Sequence, residues 1–94
     1  MTPQYQTLAR VSEAQERALF WLHDAGGSGV IDRYGNIVAA GQAAKWADAG
    51  TWLRLIADEF VDGKDKRLQV TFRGKNYVEA LREMGLMPHR ATGG

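Results

Sequence analysis

The fold is decided by residues 51–75, which read TWLRLIADEFVDGKDKRLQVTFRGK. Over residues 51–60, apolar side chains cover a broad helical face, and Thr51, Arg54 and Asp58 form a narrow polar strip on the opposite side. This pattern is typical of a helix that is buried on most of its circumference. Thr51 is also placed to cap the first turn of this helix.

A charged hairpin and a strand follow this helix. The dipeptide Asp62-Gly63 is a turn signal, and charged residues surround it. Apolar and polar residues then alternate over residues 68–73, with Phe72 on the apolar side, which predicts a half-buried strand. A last amphipathic helix is predicted over residues 74–84, and Gly85 is its expected stop.

The first half of the chain predicts a helix, two extended segments and a second, short helix. Ser12 and Gln15 have the spacing of a capping box, and the apolar stripe that follows predicts a helix over residues 12–25. In residues 30–39, β-branched pairs flank a Tyr-Gly-Asn turn, which indicates two short extended segments. The alanines and the tryptophan of residues 41–48 form an apolar surface at helical spacing, which predicts a short helix.

Basic residues are concentrated in residues 64–75. This segment carries five basic residues and one acidic residue, whereas the whole chain has a formal net charge of +1. A basic segment in a nearly neutral chain favours a defined patch that meets a polyanion. The alternative is a hairpin tip that the lysines merely keep solvated, and the charge pattern by itself leaves both interpretations open.

The succession of helix, charged hairpin and strand resembles the second half of a winged helix-turn-helix domain. In that family a helix with a Leu-x-x-Leu/Ile core precedes a charged wing and a phrase of the type Leu-x-Leu-Thr-x-x-Gly. The positions that match this pattern are Leu53, Ile56, Phe60, Val61, Leu68, Val70, Thr71 and Gly74. The resemblance covers residues 41–84, and the helix at residues 12–25 would supply the family's first helix. It implies an α+β, mostly helical fold of three to four helices with a small antiparallel β-hairpin as the wing.

The same resemblance implies binding of double-stranded DNA. The helix at residues 51–60 corresponds to the recognition helix, whose exposed side chains lie in the major groove. The hairpin corresponds to the wing, which follows the DNA backbone or enters the minor groove. The residues expected to contact DNA are Lys45, Thr51, Arg54, Lys64, Lys66, Arg67, Arg73 and Lys75. The function favoured is that of a small regulator of transcription or replication, of bacterial or phage type, acting as a homodimer.

The predicted recognition helix departs from the family's pattern, because it offers one arginine beside Asp58 and Glu59. Carboxylates that face phosphates weaken DNA binding through charge repulsion. Winged-helix domains also serve as protein-binding modules, so an adaptor or inhibitor without DNA binding is the alternative function. Trp21 lies on an apolar stripe and is predicted to be core, and a core position is also favoured for Trp46 and Trp52, which flank the predicted turn between two helices. If Trp46 or Trp52 is exposed instead, it would form the partner surface.

Length and composition bound the remaining possibilities. The chain has 94 residues, and one domain is expected over residues 12–86, with flexible segments at residues 1–11 and 87–94. The chain contains no cysteine, which excludes disulfides and thiolate metal sites and fits a reducing, cytoplasmic compartment. The apolar run at residues 18–22 is much shorter than a membrane span, so no membrane association is expected.

No residue pattern in the chain indicates catalysis or a cofactor. His23 and His89 lie far apart, and no run of His, Asp or Glu has the spacing of metal ligands. Ser12 and Ser28 have no neighbouring base and orienting acid, which a nucleophilic serine needs. The sequence therefore predicts a protein that is not an enzyme and holds neither a metal nor a cofactor.

Overall fold

Three helices and a five-stranded antiparallel sheet make up residues 11–85, the part of the chain that the computed structural model describes. The elements in chain order are α1 (Glu13–Asp24), β1 (Ser28–Ile31), β2 (Ile37–Ala39), β3 (Gln42–Ala43), α2 (Ala49–Ala57), β4 (Val61–Lys64), β5 (Arg67–Val70) and α3 (Phe72–Glu83). The strands lie in the order β3-β2-β1-β5-β4. The predicted α+β class is confirmed at this level, although the sheet is larger than the predicted single hairpin.

Helix α1 forms where the capping box predicts it. The Ser12 hydroxyl accepts a hydrogen bond from the Gln15 backbone N–H at 3.2 Å, so one free amide of the first turn is satisfied. The buried side of α1 includes Leu19 and Leu22, both fully inaccessible to solvent. The helix ends before Gly26, whose φ of 107° is a conformation that glycine adopts without steric cost.

Residues 41–48 do not form the predicted short helix. Ala40 and Gly41 both have positive φ values, of 52° and 77°, and make a two-residue turn that folds β3 back onto β2. The Ala44 N–H continues this pairing with a 2.8 Å hydrogen bond to the Ile37 carbonyl. In the described residues, α2 is therefore preceded by a strand and a turn, and no helix lies where the helix-turn-helix pattern places one.

Helix α2 begins earlier and ends earlier than predicted. Its N-cap is Asp48, whose carboxylate accepts from the Thr51 N–H at 2.8 Å, so the expectation that Thr51 caps this helix is wrong. Its side chains Trp52 and Leu55 are buried in the core. The helix stops before Glu59, because a residue with a φ of 66° cannot continue a right-handed helix.

The β4–β5 hairpin turns three residues later than predicted. Its central residues are Asp65 and Lys66, whereas Asp62 and Gly63 lie within β4. The predicted strand also ends early, because Phe72 is the first residue of α3 and is 81% exposed instead of buried. The turn residues that fix a hairpin register are those with positive φ, and here they are not glycines.

Helix α3 is anchored to the end of α2 by the Thr-x-x-Gly phrase. The Thr71 hydroxyl accepts from the Gly74 N–H at 3.0 Å and donates to the Glu59 carbonyl at 2.6 Å. A Cβ on Gly74 would overlap the Phe60 carbonyl oxygen, so only glycine fits this contact. The helix ends at Glu83, two residues before Gly85, whose φ of 78° marks the predicted stop.

The helices cover one face of the sheet and leave the other open. On the covered face Leu22 of α1 reaches Gly29, and Ile56 of α2 reaches Gly63, while Leu68 is 2% exposed between them. The predicted flexible segments, residues 1–11 and 87–94, lie outside the described residues except for Val11. The Val11 N–H donates to the Tyr77 hydroxyl at 3.1 Å.

Candidate nucleic-acid interface

The basic side chains of the β4–β5 hairpin are all exposed. Lys64 and Arg67 are paired residues on the two strands, and Lys66 occupies the turn between them. The hairpin is held to the rest of the sheet, since the Lys66 carbonyl accepts from the Ile31 N–H at 2.9 Å. Three of the predicted contact residues therefore lie together on a tethered hairpin end.

The turn that presents these residues is strained. Asp65 and Lys66 have φ values of 54° and 62°, in the left-handed region that favours glycine. Such a conformation costs a residue with a Cβ about 1 kcal/mol or more, and aspartate tolerates it better than lysine does. Glycine would be more stable than lysine at this position, although Ala40 and Glu59 adopt the same backbone region elsewhere in the described chain.

The open face of the sheet begins at this hairpin. Because paired residues of antiparallel strands point to the same side, the register aligns Lys64 with Arg67, Arg67 with Val30, and Val30 with Val38. The next row consists of Asp62, Gln69 and Ser28. The charged and polar members of both rows are exposed.

The structure separates the predicted recognition helix from these hairpin cations. Helix α2 packs against Gly63 on the covered face, whereas Lys64 and Arg67 are on the opposite face. Arg54 is exposed on α2, beside the exposed and apolar Leu53. Lys64 and Arg67 therefore do not share one face with Arg54, as a single DNA surface would require.

Thr51 does not lie on the outward strip of α2. It is 8% exposed, and its hydroxyl donates to the Asp48 carboxylate at 2.9 Å. The hydrogen bond from the Thr51 N–H is the main cause that lowers the pKa of Asp48 below its usual value. The expectation that Thr51 faces outward toward DNA is therefore wrong, because its side chain is committed to the helix cap.

The remaining predicted contact residues lie apart from one another. Arg73 is engaged within the fold, since its Nε donates to the Asp58 carbonyl at 3.0 Å and its guanidinium lies 4.8 Å from the centre of the Phe60 ring. Lys45 is exposed in the turn before α2. Lys75 is exposed on the first turns of α3 and lines a cleft at the open face.

That cleft is a feature the sequence analysis missed. It measures about 560 Å³ and lies between the start of α3 and the loop that follows α1. Phe72, Lys75 and His23 line it together with Asp62 and Gln69 of the open face. The sequence does carry a signal for it, because the Thr-x-x-Gly phrase that begins at Thr71 is typical of a helix N-cap. An N-cap at Thr71 predicts that the strand ends before Phe72 and that this aromatic ring lies in solvent.

The three tryptophans form one cluster with different exposures. Trp21 contacts both of the others edge-on, with ring centres 6.0 Å from Trp46 and 6.3 Å from Trp52. Trp52 is 4% exposed, and its indole N–H has no hydrogen-bond partner in the described part of the chain. Trp46 is 47% exposed, with the Arg17 guanidinium 5.1 Å from its ring centre. Trp46 therefore remains available to a partner, whereas Trp52 is core.

Metal and membrane sites are not found within residues 11–85. No group of three or more His, Asp or Glu side chains there could hold a metal ion. No helix in the same range is long and apolar enough to cross a lipid bilayer.

No family model matches the chain, and no curated protein or solved structure matches it. The winged helix-turn-helix resemblance therefore stays a prediction.

Proposed function

We propose that the protein binds double-stranded DNA through the β4–β5 hairpin, in a regulatory role. The observation that carries the proposal is the exposed hairpin end, where Lys66 is kept at a φ of 62° between Lys64 and Arg67. Glycine would stabilise this turn, so the backbone conformation by itself does not favour a lysine there. A lysine there places a third charge beyond the two strand ends, in position to meet phosphates.

The topology supports a winged-helix interpretation in part. Strands β1, β5 and β4 are neighbours in that order, and α2 lies between β1 and β4 in the chain. The β2–β3 hairpin occupies the position of the family's second helix, so this would be a variant with a β-hairpin in place of that helix. The hairpin β4–β5 then acts as the wing and carries the DNA contact without a helix pair.

The acidic residues near the site limit how much of the surface can face phosphates. Asp65 is next to Lys66 in the turn, and Asp62 is exposed one row away from Lys64. Because like charges repel, the contact is confined to the hairpin end and involves about three phosphates. Binding of this kind is electrostatic and shows little preference for sequence.

Fluorescence anisotropy with a labelled duplex of about 25 base pairs, titrated at several salt concentrations, tests the proposal. Replacing Lys64, Lys66 and Arg67 together with alanine should weaken binding. It should also reduce the slope of log K against log salt by about 2.7, since each phosphate contact contributes roughly 0.9. The proposal fails if the variant binds as tightly as the wild type, or if the wild type binds no duplex even at low salt.

A control variant separates a hairpin effect from a loss of general positive charge. Replacing Arg17, Arg33 and Arg82 with alanine removes the same number of charges from two helices and the β1–β2 turn. Its affinity for the duplex should change much less than that of the hairpin variant, because distant exposed charges are screened by salt.

The second candidate is a protein-interaction module, and the exposure of Trp46 favours it. This ring is 47% exposed beside Arg17, and Leu53 on α2 is 64% exposed. Trp52 takes no part in such a surface, because it is buried. If no nucleic acid is bound at low salt, this candidate replaces the first. The expected homodimer stays a prediction for either candidate, and sedimentation equilibrium measures it directly.

A further inference from the structure

The open face of the sheet runs without interruption from the hairpin to the cleft at the start of α3. Asp62 and Gln69 line both the surface beside Lys64 and the cleft beside Phe72. Ser28 and Gln69 likewise belong to both the cleft and the middle of the sheet. One continuous surface therefore links the candidate DNA contact with an exposed aromatic ring.

Phe72 is the most exposed large apolar side chain of those described, at 81%. It is the first residue of α3, where its side chain does not contribute to the core. The backbone that carries Phe72 is nevertheless anchored, because the Thr71 cap and the Gly74 contact with the Phe60 backbone hold the first turn of α3. A solvent-exposed ring on an anchored backbone beside a cleft is suited to stacking on a flat apolar partner.

Positive charge lies at both ends of this surface and not in its middle. Lys64 and Arg67 are at the hairpin end, and Lys75 lines the cleft with Phe72. Asp62 in the middle repels phosphate but accepts hydrogen bonds, and Gln69 beside it both donates and accepts. Cations at the ends, hydrogen-bonding groups between them and an aromatic ring match a nucleic-acid strand whose bases are unpaired.

We infer that Phe72 stacks on an unpaired base of a strand that continues from the duplex held by the hairpin. The inference rests on the proposed function and names its partner class, a duplex with a single-stranded extension. Arg67 and Phe72 are five residues apart along β5 and the start of α3, which is at most roughly 17 Å for extended backbone. This distance corresponds to about five nucleotides at the rise of a stacked strand, and such a length lies within the usual site size of a single-strand-binding surface.

The experiment compares three probes that share one duplex: a blunt form, and two forms with an overhang of about six nucleotides, one at the 5′ end and one at the 3′ end. All three are titrated by anisotropy against the wild type and the variants Phe72→Ala and Phe72→Trp. The wild type should bind one overhang probe roughly fivefold or more tighter than the blunt probe, which is the gain of one stacked base. Phe72→Ala should lose this advantage and keep its affinity for the blunt duplex, and Phe72→Trp should retain the advantage.

Leu53→Ala provides the matched control, because Leu53 is also a largely exposed apolar residue but lies on α2. It should leave both affinities unchanged. The inference is overturned if neither overhang improves binding, or if Phe72→Ala binds the overhang probe as tightly as the wild type. In that event hairpin-dependent binding of the blunt duplex leaves the proposed function standing. Absence of binding to every probe overturns both.

Discussion

Replacing Gly74 with alanine should destabilise the protein strongly, although the position is in a helix where alanine is normally preferred. A Cβ at this position would overlap the Phe60 carbonyl oxygen and would come within 2.9 Å of a methyl group of Val70. The obstructing oxygen belongs to the backbone, and the Phe60 carbonyl also accepts a 3.0 Å hydrogen bond from the Thr71 N–H. The clash therefore cannot be relieved by rotating a side chain.

The expected loss follows from two opposing contributions. Forcing an additional carbon into a packed contact costs about 1–3 kcal/mol, and the upper part of that range applies because backbone must move. Exchanging glycine for alanine within a helix gains about 0.5–1 kcal/mol. The net loss in unfolding free energy is then about 2 kcal/mol, which lowers the melting temperature of a domain of this size by roughly 8–16 °C.

Urea unfolding followed by tryptophan fluorescence measures this loss, because Trp21 and Trp52 lie in or against the core. Gly50→Ala is the matched control. Gly50 lies in α2, and a Cβ there would have only the Asp48 carboxylate nearby, at an ordinary distance of 3.6 Å. That variant should be more stable than the wild type by about 0.5–1 kcal/mol. If Gly74→Ala proves as stable as the wild type, the close approach of α3 to Phe60 is not a feature of the folded protein.

Three further predictions follow from the hairpin, the α3 cap and one ion pair. Lys66→Gly should raise the free energy of unfolding by up to about 1 kcal/mol and still weaken duplex binding. Lys66→Gln should weaken duplex binding without this gain in stability. Urea unfolding measures the stability of both variants, and anisotropy measures their affinity for the duplex. Thr71→Val should lower the free energy of unfolding by about 1–2 kcal/mol, since it removes the N-cap of α3 and the hydrogen bond to the Glu59 carbonyl. Thr71→Ser keeps the hydroxyl and should retain most of this stability in the same urea unfolding measurement. The Arg82 guanidinium donates a 2.7 Å hydrogen bond to Asp24 and holds the pKa of that carboxyl below its usual value, so the pair stabilises the fold above about pH 4 and loses this contribution as the pH falls further. Because Asp24 is half exposed, the ion pair should contribute less than about 1 kcal/mol to the free energy of unfolding. The prediction is contradicted if the stabilities of the wild type and of Asp24→Asn change in parallel from pH 5 downward.

The sequence predicted several elements correctly where the contacts that determine the element lie within a few residues of one another. Ser12 and Gln15 cap α1 through atoms three residues apart, and no distant contact is needed to position them. Leu68 and Gln69 alternate between the covered and the open face, as the period of a strand requires. Gly85 follows the end of α3 with a positive φ, a conformation that glycine adopts without support from distant contacts.

The errors arose where hydrogen bonds to a neighbouring segment, and not the residue spacing within the segment, determined the local structure. Residues 41–48 have apolar positions that fit a helix, but the turn at Ala40 and Gly41 pairs β3 with β2 and prevents it. Phe72 continues the alternation of β5 in the sequence, yet the hydrogen bonds of Thr71 to the Glu59 and Phe60 segment end the strand before it. Neither pairing partner could be identified from the spacing of residues within the segment.

The placement of the basic residues also changes which part of the protein would contact DNA and whether that contact could read the base sequence. A duplex that contacts Lys64 and Arg67 approaches the open face of the sheet, while α2 and its Arg54 belong to the covered side. Base edges in the major groove are read by an element that enters the groove, and phosphate contacts alone carry no sequence information. Arg54→Ala should therefore leave both the affinity and the sequence preference nearly unchanged, in contrast to its role in the winged helix-turn-helix pattern. A clear relaxation of sequence preference in that variant would show instead that α2 enters the groove and that the hairpin is auxiliary.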